Sequence, residues 1–156
     1  MSRLIEDRVV VLAPVKEVWE YYSNLNNLAE MMLPQLRMKV VKAETPLRLN
    51  SRIRFKLQPK GMPFPIYWDA QIVVFEEGVR FVDKQIKGPF SRWVHEHRFE
   101  PLGEDKTVVV DTLEMDGLSG LLASLGESFL LGSKLQLLFD HRRMILDRKF
   151  GVEKLS

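Results

Sequence analysis

The chain has 156 residues, enough for one domain with a substantial core, and its 46% hydrophobic and 28% charged residues are typical of a soluble globular protein. The net charge is only +2, and Lys and Arg are interleaved with Asp and Glu, so we expect no nucleic-acid partner. Cysteine is absent, which excludes disulfides, thiolate nucleophiles and Cys-ligated metals.

The chain begins with one predicted strand and two short predicted helices. Leu4–Leu12 has strand character, and Pro14 then suits the first turn of a helix. Apolar residues at helical spacing mark one face of that helix: Val15, Val18, Trp19 and Tyr22. A second short helix is predicted over Leu28–Leu33, capped by Asn26 or Asn27. Residues 31–33 of this helix could line the rim of a cavity.

Six further strands are predicted at the spacing of an antiparallel meander, with turn residues between them. They are Arg37–Glu44, Arg52–Gln58, Ile66–Phe75, Val79–Ile86, Ser91–Glu100 and Lys106–Met115. Such a sheet has one polar and one apolar face, and the apolar face needs a cover.

A long amphipathic helix is predicted from about Glu127 to Lys149, after a break at Gly126. Arg142 falls inside its apolar stripe, which contains Leu131, Leu135, Leu138, Phe139, Ile145 and Leu146. Charged residues interrupt the apolar region around the start of this helix, and the N-terminus lacks the apolar core of a signal peptide. We therefore expect a cytoplasmic protein without integral membrane association.

The order of these elements predicts an α+β fold in a single domain, residues 1–156. About seven antiparallel strands would form a curved sheet, with the C-terminal helix lying across its apolar face. A cavity is expected wherever the side chains between sheet and helix are too small to fill the space.

The stretch GPFSRWVHEHRFEPLG, residues 88–103, places two of the three histidines on a predicted strand. Side chains alternate between the faces of a strand, so His95 and His97 share a face with Trp93 and Phe99. The same parity rule assembles the other inward-facing residues, namely Trp68, Ala70, Ile72, Val74, Phe81, Asp83, Gln85, Asp111, Leu113 and Met115. The predicted interior is thus apolar with a polar streak, to which Arg142 adds a charge from the helix.

Three stretches resemble the START or birch-pollen-allergen-like superfamily, also called SRPBCC, and within it the bacterial polyketide cyclase/dehydrase-like branch. They are APVKEVWEYYSNLNNLAEMMLP, FVDKQIKGPFSRWVHEHRFEPLGEDKTVVVD and LFDHRRMIL. The resemblance implies a helix-grip fold that holds a hydrophobic small molecule between sheet and helix. It implies no single activity, because this fold carries binders, transporters, cyclases and hydrolases.

The polar streak has three interpretations. In the structural one, Arg142 pairs with Asp83 or Asp111 and the histidines are satisfied buried donors. In the second, a hydrophobic or amphipathic ligand binds there, with twelve residues around it: Trp68, Asp83, Gln85, Trp93, His95, His97, Phe99, Asp111, Met115, Leu135, Phe139 and Arg142. In the third, His95 or His97 acts as the general base of a cyclase or dehydrase. We predict the ligand-binding function, with the enzyme and a ligand-free interaction module as its alternatives.

A metal site is a separate question. His95 and His97 point the same way, and with Asp111 they form a set that suits zinc or iron. The third ligand rests on parity alone and the sequence shows no fourth, so no metal is predicted, and no motif indicates an organic cofactor. The oligomeric state is not predicted.

Overall fold

The computed structural model describes residues 2–120 and 133–154. Within these residues there are seven strands, three α-helices and one short 3-10 helix. In chain order they are β1 Arg3–Val11, α1 Val15–Ser23, α2 Leu25–Glu30, the 3-10 helix Pro34–Leu36, β2 Lys39–Ala43, β3 Arg52–Leu57, β4 Ile66–Glu76, β5 Arg80–Lys87, β6 Trp93–Leu102, β7 Lys106–Met115 and α3 Ser133–Phe150.

The seven strands form one curved antiparallel sheet in the order β1-β7-β6-β5-β4-β3-β2. The first strand crosses to the last, so that Val9 pairs with Val109, and all other neighbours are consecutive in sequence. Buried residues of α3, Leu138, Phe139 and Leu146, belong to the same core as the apolar face of the sheet. The predicted α+β helix-grip architecture is therefore confirmed. No helix within the described residues is long and apolar enough to cross a membrane.

The long C-terminal helix is described from Ser133 onward. The predicted helix start at Glu127, the break at Gly126 and the stripe residue Leu131 lie outside the described residues. From Leu135 onward the predicted stripe is confirmed, because Leu135, Leu138, Phe139, Arg142 and Leu146 are buried and Ile145 is partly buried against the same core.

The second short helix begins three residues earlier than predicted. It covers Leu25–Glu30, and its cap is Asn24, whose side chain accepts a hydrogen bond from the backbone N–H of Asn26 at 3.1 Å. The prediction of Asn26 or Asn27 as cap is wrong, because the earlier start puts Leu25 and Ala29 one turn apart on the buried face. The helix then ends at Glu30 and leaves Met32 and Leu33 in the connection to the 3-10 helix.

A β-bulge changes which side chains of β4 face the core. The register of β4 against β5 shifts between Ile72 and Val74, so that Phe75 lies opposite the buried Phe81. Phe75 then packs edge-on against Trp19 at 5.5 Å between ring centroids. The parity prediction that placed Val74 on the core face is wrong beyond this point, since one inserted residue inverts the alternation.

The segment after α3 returns to the start of the sheet. Val152 forms a bridge with Val11, and the backbone N–H of Leu12 donates to the carbonyl oxygen of Gly151 at 2.9 Å. The edge strand β1 is therefore covered at this end by the last described residues of the chain.

Candidate functional site

A cluster of polar side chains lies in the interior between the sheet and α3. Cross-strand pairing builds most of it, because Asp83 on β5 lies opposite His95 on β6, and His97 lies opposite Asp111 on β7. Directly opposite residues of an antiparallel pair point to the same face. Both histidines are almost fully buried, as alternation predicts. These four residues and Arg142 from α3 are together called the polar cluster below.

His97 bridges the two carboxylates of the polar cluster. Its Nδ1 lies 3.0 Å from Asp111 Oδ1, and its Nε2 lies 2.9 Å from Asp83 Oδ2. Because ionised carboxylates only accept hydrogen bonds, both ring nitrogens must donate, and His97 is a cation in this arrangement.

Asp111 is the centre of the cluster. Its Oδ1 also accepts from Arg142 Nη1 at 3.1 Å and lies 3.0 Å from His95 Nε2. Since Nε2 donates to this oxygen, the lone pair of a neutral His95 is on Nδ1. Arg142 Nη1 also lies 3.3 Å from His95 Nε2, but two donors facing each other do not form a hydrogen bond.

The charges of the polar cluster balance. Burial raises the pKa of Asp111, but Arg142 and the hydrogen bonds from the two histidines outweigh this and hold the pKa well below its usual value. Burial likewise raises the pKa of Asp83, and the hydrogen bond from His97 outweighs it, so this pKa is also lowered. Two carboxylates therefore face two cations, Arg142 and His97. Burial lowers the pKa of His97, but Asp111 and Asp83 outweigh burial and raise it.

His95 stays neutral in this environment. Burial, followed by the charges of His97 and Arg142, lowers its pKa to about 4, and the hydrogen bond to Asp111 only partly offsets this. The two neighbouring histidines thus differ in charge: the hydrogen bonds to two carboxylates make His97 a cation, whereas His95 contacts one carboxylate and is neutral.

Two small adjoining cavities lie between sheet and helix. The first, called the apolar cavity, has a volume of about 40 Å³ and is bounded by Met32, Leu33, Leu36, Leu57, Pro59, Ile66, Trp68, Pro89, Phe90, Trp93, Leu118, Leu135 and Leu138. The second, called the polar-ended cavity, has a volume of about 30 Å³ and is bounded by Leu28, Met32, Met38, Ile53, Phe55, Trp68, Asp83, Trp93, His95, His97 and Arg142. Met32, Trp68 and Trp93 form walls of both.

The sequence that forms this site and its sheet matches a known protein family. The model of the family described as polyketide cyclase/dehydrase and lipid transport matches residues 11–137, most of the chain. The chain belongs to this polyketide cyclase/dehydrase family. The resemblance predicted from three sequence stretches is thereby confirmed. No curated protein matches the chain in sequence.

Solved structures share the fold of this family member. The aromatase/cyclase Zhui from a Streptomyces species has a TM-score of 0.72 and 15% identity, over 96% of this chain and 93% of its own. Norcoclaurine synthase from Thalictrum flavum, in complex with dopamine and hydroxybenzaldehyde, has a TM-score of 0.62 and 14% identity, over 100% and 90%. A START superfamily protein from Mycobacterium smegmatis has a TM-score of 0.64 and 13% identity, over 94% and 96%. At such identities the likeness shows the fold alone.

Seven of the twelve residues predicted to bind a ligand line the two cavities of this polyketide cyclase/dehydrase family member. They are Trp68, Asp83, Trp93, His95, His97, Leu135 and Arg142. The remaining five line neither cavity. Asp111 lies behind the histidines, Phe99 packs against Trp19 and Tyr22, and Met115 and Phe139 are core residues. Gln85 instead holds the following turn, with Nε2 donating to the Phe90 carbonyl oxygen at 2.7 Å.

Several cavity residues were not predicted from the sequence. Ile53, Phe55 and Leu57 alternate with Arg and Lys on β3, and this alternation is the sequence signal that identifies their buried face. Phe90 and Leu118 come together through a bridge between two connections, which no periodicity reveals. Of the three residues 31–33 predicted at the rim, Met32 and Leu33 line the apolar cavity, whereas Met31 is a buried core residue that lines neither cavity.

Proposed function

We propose that this protein binds an amphipathic small molecule whose apolar body occupies the apolar cavity and whose polar end meets the polar cluster. The observation that carries the proposal is the adjacency of the two cavities across the shared wall of Met32, Trp68 and Trp93. An apolar space with a few convergent polar groups at one end is the usual form of a small-molecule site. The ligand-binding fold of the family supports the same function.

Binding requires the walls to move. Cavities of about 40 and 30 Å³ hold two or three water molecules each, whereas ligand pockets are usually several hundred Å³ in size. Met32 and Met38 are suited to this movement because the unbranched thioether side chain repacks easily. The ligand therefore displaces these side chains, and the resting protein keeps its apolar surface covered.

An aromatic or polyketide-like body fits the walls best. Trp68 and Trp93 pack edge-on at 4.9 Å between ring centroids, and Phe90 lies 4.8 Å from Trp93. Aromatic walls of this kind favour planar apolar groups. The names of the aromatase/cyclase and of norcoclaurine synthase with its bound aromatic compounds are consistent with this class.

The polar cluster supports binding more than proton transfer. Both ring nitrogens of His97 are engaged by carboxylates, and a His95 pKa of about 4 makes it a weak base at neutral pH. The same residues are well suited to orient a ligand, because Asp83 and Arg142 offer an acceptor and a donor at the end of the polar-ended cavity.

The first test combines native mass spectrometry with a reporter dye. The mass of the freshly purified protein is measured under native and denaturing conditions. A reproducible mass that is lost on denaturation gives the molecular mass of a tightly bound ligand. Binding of the amphipathic dye anilinonaphthalene sulfonate is then titrated by fluorescence. Ile66 lines the apolar cavity, and we expect Ile66→Trp, whose larger side chain takes up space there, to weaken dye binding by about tenfold or more, equivalent to roughly 1.4 kcal/mol.

Val73→Trp is the matched control, because it adds the same side chain to the exposed face of the same strand. It should leave dye affinity and any co-purified mass unchanged. Equal affinities of the two variants, or the absence of both dye binding and a bound mass in the wild type, would refute the proposed site and favour the ligand-free interaction module.

A further inference from the structure

We propose that Asp83, His95 and His97 form a binding site for one divalent transition-metal ion. One ligand atom from each of the three side chains lies within 4.8 Å of the others. Two imidazoles and a carboxylate suit zinc or iron, and no sulfur ligand is needed. The sequence suggested Asp111 as the third ligand, but the structure gives that carboxylate a different role.

Asp111 has the position of an outer-shell residue that orients both histidines. Its Oδ1 accepts hydrogen bonds from Nε2 of His95 and Nδ1 of His97, each at 3.0 Å. The second nitrogen of each ring, Nδ1 of His95 and Nε2 of His97, is therefore the one left to bind a metal. Metal-binding histidines almost always donate their other N–H to such a carboxylate, which fixes the tautomer and the ring orientation.

The metal would take the place of a proton. His97 Nε2 now donates to Asp83 Oδ2 at 2.9 Å, so these two atoms already lie together around the position that the ion requires. On binding, the Nε2 proton leaves to solvent and the ion bonds to both atoms. The positive charge of Arg142 repels the ion only weakly, because Asp111 at 3.1 Å neutralises the guanidinium.

Three protein ligands leave at least one coordination position open. The same three side chains line the polar-ended cavity, so an exogenous ligand in that cavity could reach the ion. An open position is typical of catalytic metal sites and not of structural ones, which use four protein ligands. The metal site does not depend on the proposed amphipathic ligand and can be tested without it.

The test uses full-length protein without an affinity tag, freed of metal with a chelator that is then removed. Zinc chloride is titrated calorimetrically, and the side-chain nitrogen NMR shifts of the three histidines are recorded with and without zinc. We expect one ion per chain, shifted nitrogen signals for His95 and His97, and unchanged signals for His141, which contacts the carbonyl oxygen of Glu30 instead.

Two variants complete the experiment. Asp83→Asn keeps the size of the side chain and should weaken zinc binding by about 100-fold or more, since even outer-shell losses weaken metal sites by about 10- to 100-fold. His141→Gln should bind as the wild type does. Circular dichroism of the metal-free variants checks that each folds, and if Asp83→Asn does not, the wild-type NMR shifts decide. The proposal is overturned if the wild type binds no zinc, if Asp83→Asn binds as tightly, or if His141 is the histidine that shifts.

Discussion

Replacing Asp111 by Asn should destabilise the protein far more than the same change at Asp69. Both carboxylates pair with an arginine, but the Arg142–Asp111 side chains are only 4% and 5% exposed, against 50% and 26% for Arg54 and Asp69. Without Asp111, Arg142 is left as a buried charge, and His97 loses one of its two anions. Removing one partner of a buried pair lowers the free energy of unfolding by about 3–5 kcal/mol, whereas an exposed pair such as Arg54–Asp69 is screened by water and contributes far less.

Urea unfolding at neutral pH, followed by tryptophan fluorescence, measures both changes. The double variant with Asp111→Asn and Arg142→Met should regain part of the loss, because no uncompensated guanidinium remains. The reasoning fails if Asp111→Asn and Asp69→Asn lower the free energy of unfolding equally. It also fails if the effects of Asp111→Asn and Arg142→Met are additive, since contacting partners must be coupled.

Two further predictions concern the histidine pair and the turn beside it. In metal-free protein, His95 has a folded pKa of about 4, below its unfolded value, so its contribution to stability is complete above about pH 6.5 and is lost as the pH falls toward 4. Between about pH 7 and pH 5 this loss is roughly 2 kcal/mol. The difference in unfolding free energy between wild type and His95→Asn should therefore shrink by that amount. A difference that stays constant with pH would contradict a buried neutral imidazole. The opposite pH dependence of His97, whose raised pKa favours folding at low pH, is common to both proteins and cancels. Gly88→Ala places a methyl group 2.6 Å from Gln85 Oε1 and 2.9 Å from Trp68 Cδ1 and should lower the unfolding free energy by roughly 1–3 kcal/mol, while unchanged urea stability would show that the turn yields freely.

The fold and the inward direction of the histidines followed from periodicity. Alternation along β6 is uninterrupted, so counting from Trp93 places His95, His97 and Phe99 correctly. Alternation fails where a bulge intervenes, as it does on β4 between Ile72 and Val74, because a bulge leaves no mark in the composition.

The connections of the polar cluster could not be predicted. The sequence supplied Asp83 and Asp111 as equivalent partners for the histidines and for Arg142. Which carboxylate takes which donor depends on the strand register and on the position of α3, and both are set by packing far from the cluster. For the same reason, only some of the residues that line the two cavities could be predicted. Those on the short helices and the connections depend on how these segments pack against the sheet.

The pairing of β1 with β7 bears on how the chain folds. Val9 pairs with Val109 across the sheet, so β1 has no partner strand until β7, about a hundred residues later, has been made. Closing a loop of that length costs conformational entropy before the strands make stabilising contacts. Proteins with many such long-range contacts typically fold slowly. During synthesis β1 therefore remains unpaired and exposes a Val-Val-Val run, which makes this segment the part of the nascent chain most exposed to edge-to-edge aggregation.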